Sequence, residues 1–330
     1  MAHQLATSNG RISMMYHGET PWHRLGTMLS QPPTSAEAMA EAGLDYEVIG
    51  SPVYTRNPQG VEIPLPDHRM NVRADDGRCL GMVSRQYRVI QNREAFNFLD
   101  ALVAEGDLRY HTAGALGDGE RVWMLAKLPR EVRVRGTEDV TEQYLLLSNS
   151  HDGSQALRCF FTPIRVVCNN TLTAAIRGHD RGITIRHTGD IAAKVDQARQ
   201  VLGLAAGWFD GFGEGADAMA GHRPGRQQLA SYFERVYPDP AKGDPAKARS
   251  ARMTLQGLYT GGMGADMPGV EGTTWAAFNA VSELVDHHVG STEARRLESA
   301  WWGEAVKVKE RAWAAGLELV AAGTAPLLNL

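Results

Sequence analysis

The amino-acid sequence predicts an α+β fold, in which an antiparallel-dominated sheet with packed helices is followed by a helical C-terminal domain. Three observations predict it. Between Tyr46 and His187 the apolar residues recur at every second position or in short unbroken runs, punctuated by Pro, Gly and Asp-Gly turn signals. Beyond Thr188-Gly189-Asp190 the recurrence lengthens to about 3.6 residues and stays there, the period of an amphipathic helix. The chain of 330 residues, 43% hydrophobic and 22% charged, is too long for one small core and ordinary in composition for a folded protein. The expected division is an N-terminal arm over 1–40, a sheet domain over 41–189 and a helical domain over 190–330.

The elements follow in order. Tyr46–Ile49, Arg69–Arg73, Leu80–Val83 and Tyr87–Ile90 read as short strands of a meander, separated by Pro52, Pro58-Gln59-Gly60, Pro64, Pro66 and Asp75-Asp76-Gly77. Asn92 caps a helix carrying Ala95, Phe96, Leu99, Leu102 and Val103 at helical spacing and ending near Gly106. Strands are expected at Arg109–Ala115, Glu120–Leu128, Val132–Arg135, Tyr144–Ser148 and Ala156–Cys168. A short helix over 170–178 and a strand at Gly182–His187 close the domain. These strands are expected to form one sheet. Helices are expected at 225–236, 245–259, 273–288 and 292–321, between Pro238-Asp239-Pro240, the glycine-rich 261–272 loop and Gly290-Ser291. Trp275, Phe278, Val281 and Val285, with Trp301, Trp302, Val306, Val308 and Trp313, exceed the needs of one narrow seam, so part of the helical domain is expected to face a partner.

Several functions are disfavoured by what the sequence lacks. No apolar run approaches the roughly 18 residues of a membrane helix, and the opening MAHQLATSNGR lacks the features of a signal peptide, so a cytoplasmic location without a membrane partner is expected. Cys79, Cys159 and Cys168 are odd in number and lack CxxC spacing, which speaks against a disulfide framework or thiolate zinc site. Gly261-Gly262-Met263-Gly264 has no following Lys-Ser/Thr and is not a phosphate loop, and His287-His288 point to different sides of a helix. No cofactor, metal site or catalytic residue is assigned.

Two segments stand out by charge. Residues 69–93 and 156–188 are each net +4, in a chain whose formal net charge is −4. Both hold aromatics beside arginine, the pattern that binds single-stranded nucleic acid through phosphates and stacked bases. The candidate nucleic-acid-binding residues are Arg69, Arg73, Arg85, Tyr87, Arg88, Arg158, Phe160, Phe161 and Arg165, with Phe160 and Phe161 on opposite faces so that one of them is core. A competing reading takes His151 as a base beside Asp152, with Cys168 or a serine as nucleophile, although Asp152-Gly153 between two strands reads as a turn.

A resemblance then enters. Tyr144–Leu147 leading into Ser150-His151-Asp152-Gly153-Ser154, followed by Pro163-Ile164-Arg165-Val166-Val167-Cys168-Asn169-Asn170-Thr171-Leu172, is similar to the hallmark of the phage and plasmid-like proteins of domain-of-unknown-function family 932. Gly18–Gly26, Gly81–Asn92 with Tyr87 and Asn92, and Gly272-Thr273-Thr274-Trp275…Asn279-Ala280-Val281…Asp286-His287 agree in order and character. The resemblance implies a bacterial, phage or plasmid origin. More distantly, the meander and helix resemble the β-β-β-α core of phage single-strand annealing proteins of the Redβ and Erf kind. That likeness implies a homo-oligomer that binds and anneals single-stranded DNA, in recombination or in protection of incoming DNA. Two alternatives stand beside it: a protein-binding anti-defence or assembly factor of a mobile element, and a hydrolase-type enzyme using His151, Asp152 and Cys168.

Overall fold

The computed structural model describes residues 5–8, 10–18, 26–103, 109–165, 182–188, 209–290, 296, 299 and 303–324. The chain is α+β, with a large mixed, mostly antiparallel sheet and helices toward the C-terminus. In order the strands are β1 (Thr7–Ser8), β2 (Arg11–Ile12), β3 (Met14–His17), β4 (Thr27–Leu29), β5 (Val48–Arg56), β6 (Glu62–Arg73), β7 (Cys79–Ser84), β8 (Arg109–Leu116), β9 (Arg121–Arg133), β10 (Val140–Ser150), β11 (Leu157–Arg165) and β12 (Gly182–Ile185). The helices among them are α1 (Ser35–Glu41) and α2 (Asn92–Val103), and after them come α3 (209–220), α4 (Arg226–Val236), α5 (Ala246–Gly261), α6 (Thr274–Glu283) and α7 (Glu304–Thr324).

The strands make two main sheets rather than one. Seven strands run in the order β12-β11-β10-β9-β8-β3-β4, antiparallel except for the β3/β4 pair, while β5-β6-β7 form a separate three-stranded sheet. Tyr87–Ile90 makes no strand but a loop leading into α2. The segment expected as an arm instead supplies β3 and β4 of the large sheet and α1, whose N-cap Thr34 and Glu37 form a capping box. These strands are two to four residues long, too short to display a period in sequence.

One face of the large sheet carries Val122, Met124 and Ala126 of β9, Leu145 and Leu147 of β10, and Cys159 and Phe161 of β11, in cross-strand register. Ala95, Phe96, Phe98 and Leu99 of α2 and Ala38 and Met39 of α1 complete that core. Each large apolar side chain sealed there contributes about 1.5–3 kcal/mol. The opposite face carries Trp123, Leu125, Tyr144 and Leu146.

A second core lies among the helices. Every residue of α6 is buried, and the chain continues from it as a π-helical turn, Leu284–His288. Trp275 and Phe278 stack at 5.5 Å between ring centroids, and Phe212 of α3 stacks on Trp313 of α7 at 5.4 Å. Trp275, Phe278, Val281, Val285, Val308 and Trp313 are therefore core residues, and Val306 is half-buried. Trp301 and Trp302 lie outside the described residues, as do the helix expected at 170–178 and the boundary near 190. The described helices include none long and apolar enough to cross a membrane.

Candidate functional site

The turn joining β10 to β11 is where most of the polar chemistry converges. Asp152 Oδ1 accepts from Ser154 N at 2.8 Å and from Ser154 Oγ at 2.6 Å, and Gly153 takes φ +77°. That is the expected Asx-type turn. It is packed against β7 rather than fully open to water. A Cβ on Gly81 would lie 2.5 Å from Asp152 Cα, so only glycine lets β7 come this close.

His151 is completely buried beneath this contact. Asn92 at the start of α2 donates its Nδ2 to Leu44 O at 2.9 Å, which leaves Oδ1 to accept from His151 Nε2 at 2.8 Å. The His151 backbone is held on both sides, its N donating to Glu120 O at 2.6 Å and its O accepting from Asn71 Nδ2 at 2.7 Å. Around it, Tyr87 Oη donates to Ser150 O at 2.6 Å, Asn149 Nδ2 to Ile90 O at 2.9 Å, and Tyr46 Oη to Gly119 O at 2.6 Å. Burial pushes the His151 imidazole down to about 3, nearby His187 adds to this, and Asp152 opposes it. The ring is neutral and shut off from solvent. A general base must reach a substrate proton, and this one is packed on every side. Cys168, its proposed nucleophile, lies outside the described residues.

The nine candidate binding residues separate. Arg73 is 1% exposed, held by Asp75 and Asp76 with its guanidinium carbon 4.0 Å from the Tyr46 ring centroid, so it holds the three-stranded sheet rather than a phosphate. Tyr87 is also buried, stacked on His187 at 4.4 Å, and has no face left for a base. Phe161 is core, and Phe160 is the half-buried partner on the opposite face. Arg69 is half-buried, Arg85 exposed, and Arg88 exposed with Glu94 at 3.0 Å. Arg165 ends β11, and its side chain lies outside the described residues. The two basic segments thus fall on different sheets, because the Asp-Gly turn and α2 divert the first away from the second.

Among the described residues they meet beside His187. Arg88 N donates to His187 O at 2.5 Å, and Arg88 O faces His187 Nδ1 at 3.1 Å, which brings the loop before α2 alongside Arg186. On the outer face of the large sheet, Trp123, Ser148, Arg158 and Thr184 are successive cross-strand partners. Arg121 lies two residues before Trp123, Arg186 two after Thr184 and Phe160 two after Arg158, so by strand alternation all three share this face. Arg121 belongs to neither basic segment; parity with Trp123 and Leu125 gives its face, and its Nε lies 3.7 Å from Asp152 Oδ2.

A second polar anchor ties the helical core to the sheet. Thr273 caps α6 by accepting from Ala276 N, Trp275 Nε1 donates to Asp139 Oδ2 at 2.7 Å beside the β9–β10 turn, and Asn279 Nδ2 donates to Trp275 O at 2.9 Å. Asp286, in the π turn, pairs with Lys309 of α7 at 2.6 Å, with 5% and 0% of their side chains exposed.

The family model described as Domain of unknown function (DUF932) matches residues 79–311. The chain belongs to domain-of-unknown-function family 932. Neither the curated proteins nor the solved structures include a match to it. The family match begins at β7 and runs into α7, so it contains both anchors' central residues, His151 and Asn92 on one side and Trp275, Asp286 and Lys309 on the other. Of the segments that carried the family likeness, Gly81–Asn92 and Ser150–Ser154 meet at the first anchor and Gly272–His287 carries the second, whereas Gly18–Gly26 precedes the matched residues and most of Pro163–Leu172 lies outside the described ones. Hairpin β5–β6 lies outside the matched residues. Among the described residues, no group of three or more His, Cys, Asp or Glu is arranged to hold a metal ion.

Proposed function

We propose that the protein binds single-stranded DNA on the outer face of the large sheet, across β9, β11 and β12. The observation that supports this reading is the shared face of Arg158, Phe160, Arg186 and Arg121, with one aromatic ring among three guanidinium groups. Arginine neutralises phosphates without regard to sequence, and a half-exposed ring offers a stacking platform to any base. Strands about 4.8 Å apart place Arg158 and Arg121 roughly 10 Å from one another, about the reach of one to two nucleotides. Arg88 extends the same basic edge beside His187.

Fluorescence anisotropy with an end-labelled oligonucleotide at several salt concentrations tests the reading. Arg158→Ala or Arg186→Ala is expected to weaken binding for all sequences and to lower the salt slope by about 0.7 for each phosphate no longer neutralised. Phe160→Ala is expected to cost about 1–3 kcal/mol with the slope unchanged. Absence of binding by the wild-type protein at about 50 mM salt, where electrostatic attraction is strongest, sinks the proposal.

A further inference from the structure

The three-stranded sheet continues beyond its third strand. β7 pairs with β6 only from His68 to Val72, and past that point β5 and β6 run on as a two-stranded ribbon to the turn around Gly60. A hairpin without a third strand or a packed face is marginal by itself in water. This one exposes apolar groups: Val61 is 58% exposed, Ile63 43% and Tyr54 56%. Val61, Ile63 and Leu65 alternate with Glu62 and Pro64, and Ile63 pairs with Thr55 while Glu62 pairs with Arg56, so they lie on the side of the ribbon opposite that ion pair. The charged side is self-neutralised, with Arg56 and Glu62 paired at 2.9 Å.

The body of the same sheet presents a matching surface. Ile49 pairs with Val72, and Ser51 and Met82 both pair with Met70, on the face opposite the buried Asn71 and Arg73. Ile49 is 46% exposed and Met82 53%. Side chains of Asp, Glu, Lys and Arg are absent from these positions. A contiguous uncharged apolar face of this kind is uncommon on a monomer. Prolines 52, 64 and 66 deprive the ribbon edges of donors, so strand addition along an edge is blocked and docking must use a face.

We propose that a second copy of this chain covers the outer face of the three-stranded sheet, each ribbon lying with Val61, Ile63 and Leu65 against Ile49, Met70 and Met82 of the other copy. The match in charge argues for a like partner, because both surfaces are uncharged and neither offers purchase to phosphate or to a charged protein. Area agrees. A ribbon roughly 20 Å long and 10 Å wide, docked reciprocally about a two-fold axis, buries on the order of 1,000 Å² in total, the lower bound of a specific interface.

Sedimentation velocity on the full chain without nucleic acid tests this independently of DNA binding. The wild type is expected to dimerise with rising concentration, and Ile63→Asp or Met82→Asp to weaken the dimer at least about tenfold while melting curves of dilute, monomeric protein stay unchanged. Ile63→Lys combined with Met82→Glu in one chain places opposite charges across the contact and is expected to recover part of the lost association. A wild type that is monomeric up to about 100 μM overturns the proposal. So does a dimer indifferent to both aspartate substitutions, or an open-ended series of larger species.

Discussion

The His151 anchor and the Asp286–Lys309 anchor are both sealed from water, yet one is built from neutral groups and the other from charges. Around His151, side-chain amides and phenols are spent mostly on backbone carbonyls, at Leu44, Gly119, Ser150, Ile90 and His151 itself. Each such bond is worth about a kilocalorie, and the loss of one strands a neutral partner. Between α6 and α7, two full charges face each other at 2.6 Å with 5% exposure or less. There the desolvation cost is already sunk in both partners, and removal of either takes away the full opposite charge that offsets it. The difference teaches that a polar core can be robust or brittle according to what remains when one member goes.

The largest expected effect is at the charged anchor. Lys309→Met should destabilise by about 3–5 kcal/mol, read as a shift in the urea midpoint, whereas Lys309→Met with Asp286→Leu should recover most of that loss. If the double variant is no better than the single one, Asp286 is held chiefly by groups other than Lys309.

Asn92→Ala is the matching break in the neutral anchor. It removes the acceptor of His151 and the donor to Leu44, and should cost about 1–3 kcal/mol. A loss as large as that of Lys309→Met would erase the contrast between the two anchors.

Acid separates them further. The folded state holds His151 near 3 and His111 near 4, both by burial, against 6.5 for a free imidazole. The unfolded chain therefore takes up more protons below pH 6.5. The stability contributed by keeping these rings neutral is fully present above that value and drains away as pH falls toward 4. Two of the partly buried carboxylates are lowered, Asp75 by Arg73 and Glu142 by Lys127; they start from 3.8 and 4.5 and lose their contribution only further down. A urea midpoint that drops between pH 7 and pH 5, and drops less steeply in His151→Gln, is the expected result. The smallest effect is at the ribbon, where Tyr54→Ser or Ile63→Asp should change the stability of dilute monomer by no more than about 0.5 kcal/mol.

Periodicity made most of the elements legible. α2 starts at Asn92 as its capping residue indicates, and β8, β10, β11, α4 and α5 lie within a few residues of their expected places. β9 instead absorbs two expected strands into one, because its ladder to β10 resumes beyond Pro129, at Glu131–Arg133, after a register shift between Glu142 and Tyr144. What alternation cannot reveal is which strands share a sheet. The split into seven and three depends on contacts such as Gly81 against Asp152 and Arg73 over Tyr46, which join residues far apart in sequence. The same contacts turned Arg73 and Tyr87 from surface candidates into packing residues. Parity within β11 did transfer: one of Phe160 and Phe161 had to be core, and it is Phe161.

The position of β3 between β8 and β4 has a consequence for biosynthesis. Met15 pairs with Ala113, so β3 is made well before β8 and has no neighbour on that side until β8 has been made. At about 5–20 residues per second the wait is roughly 5–20 s, long compared with the microseconds in which a local hairpin closes. During that interval Met14, Met15 and Tyr16, all buried at the end, are exposed on the nascent chain. The hairpin β8–β9 can close without them, and it carries an open edge until β3 arrives. β3 is therefore added late to a sheet that later-made strands have begun, and a ribosome paused before β8 would hold its apolar residues exposed for the length of the pause.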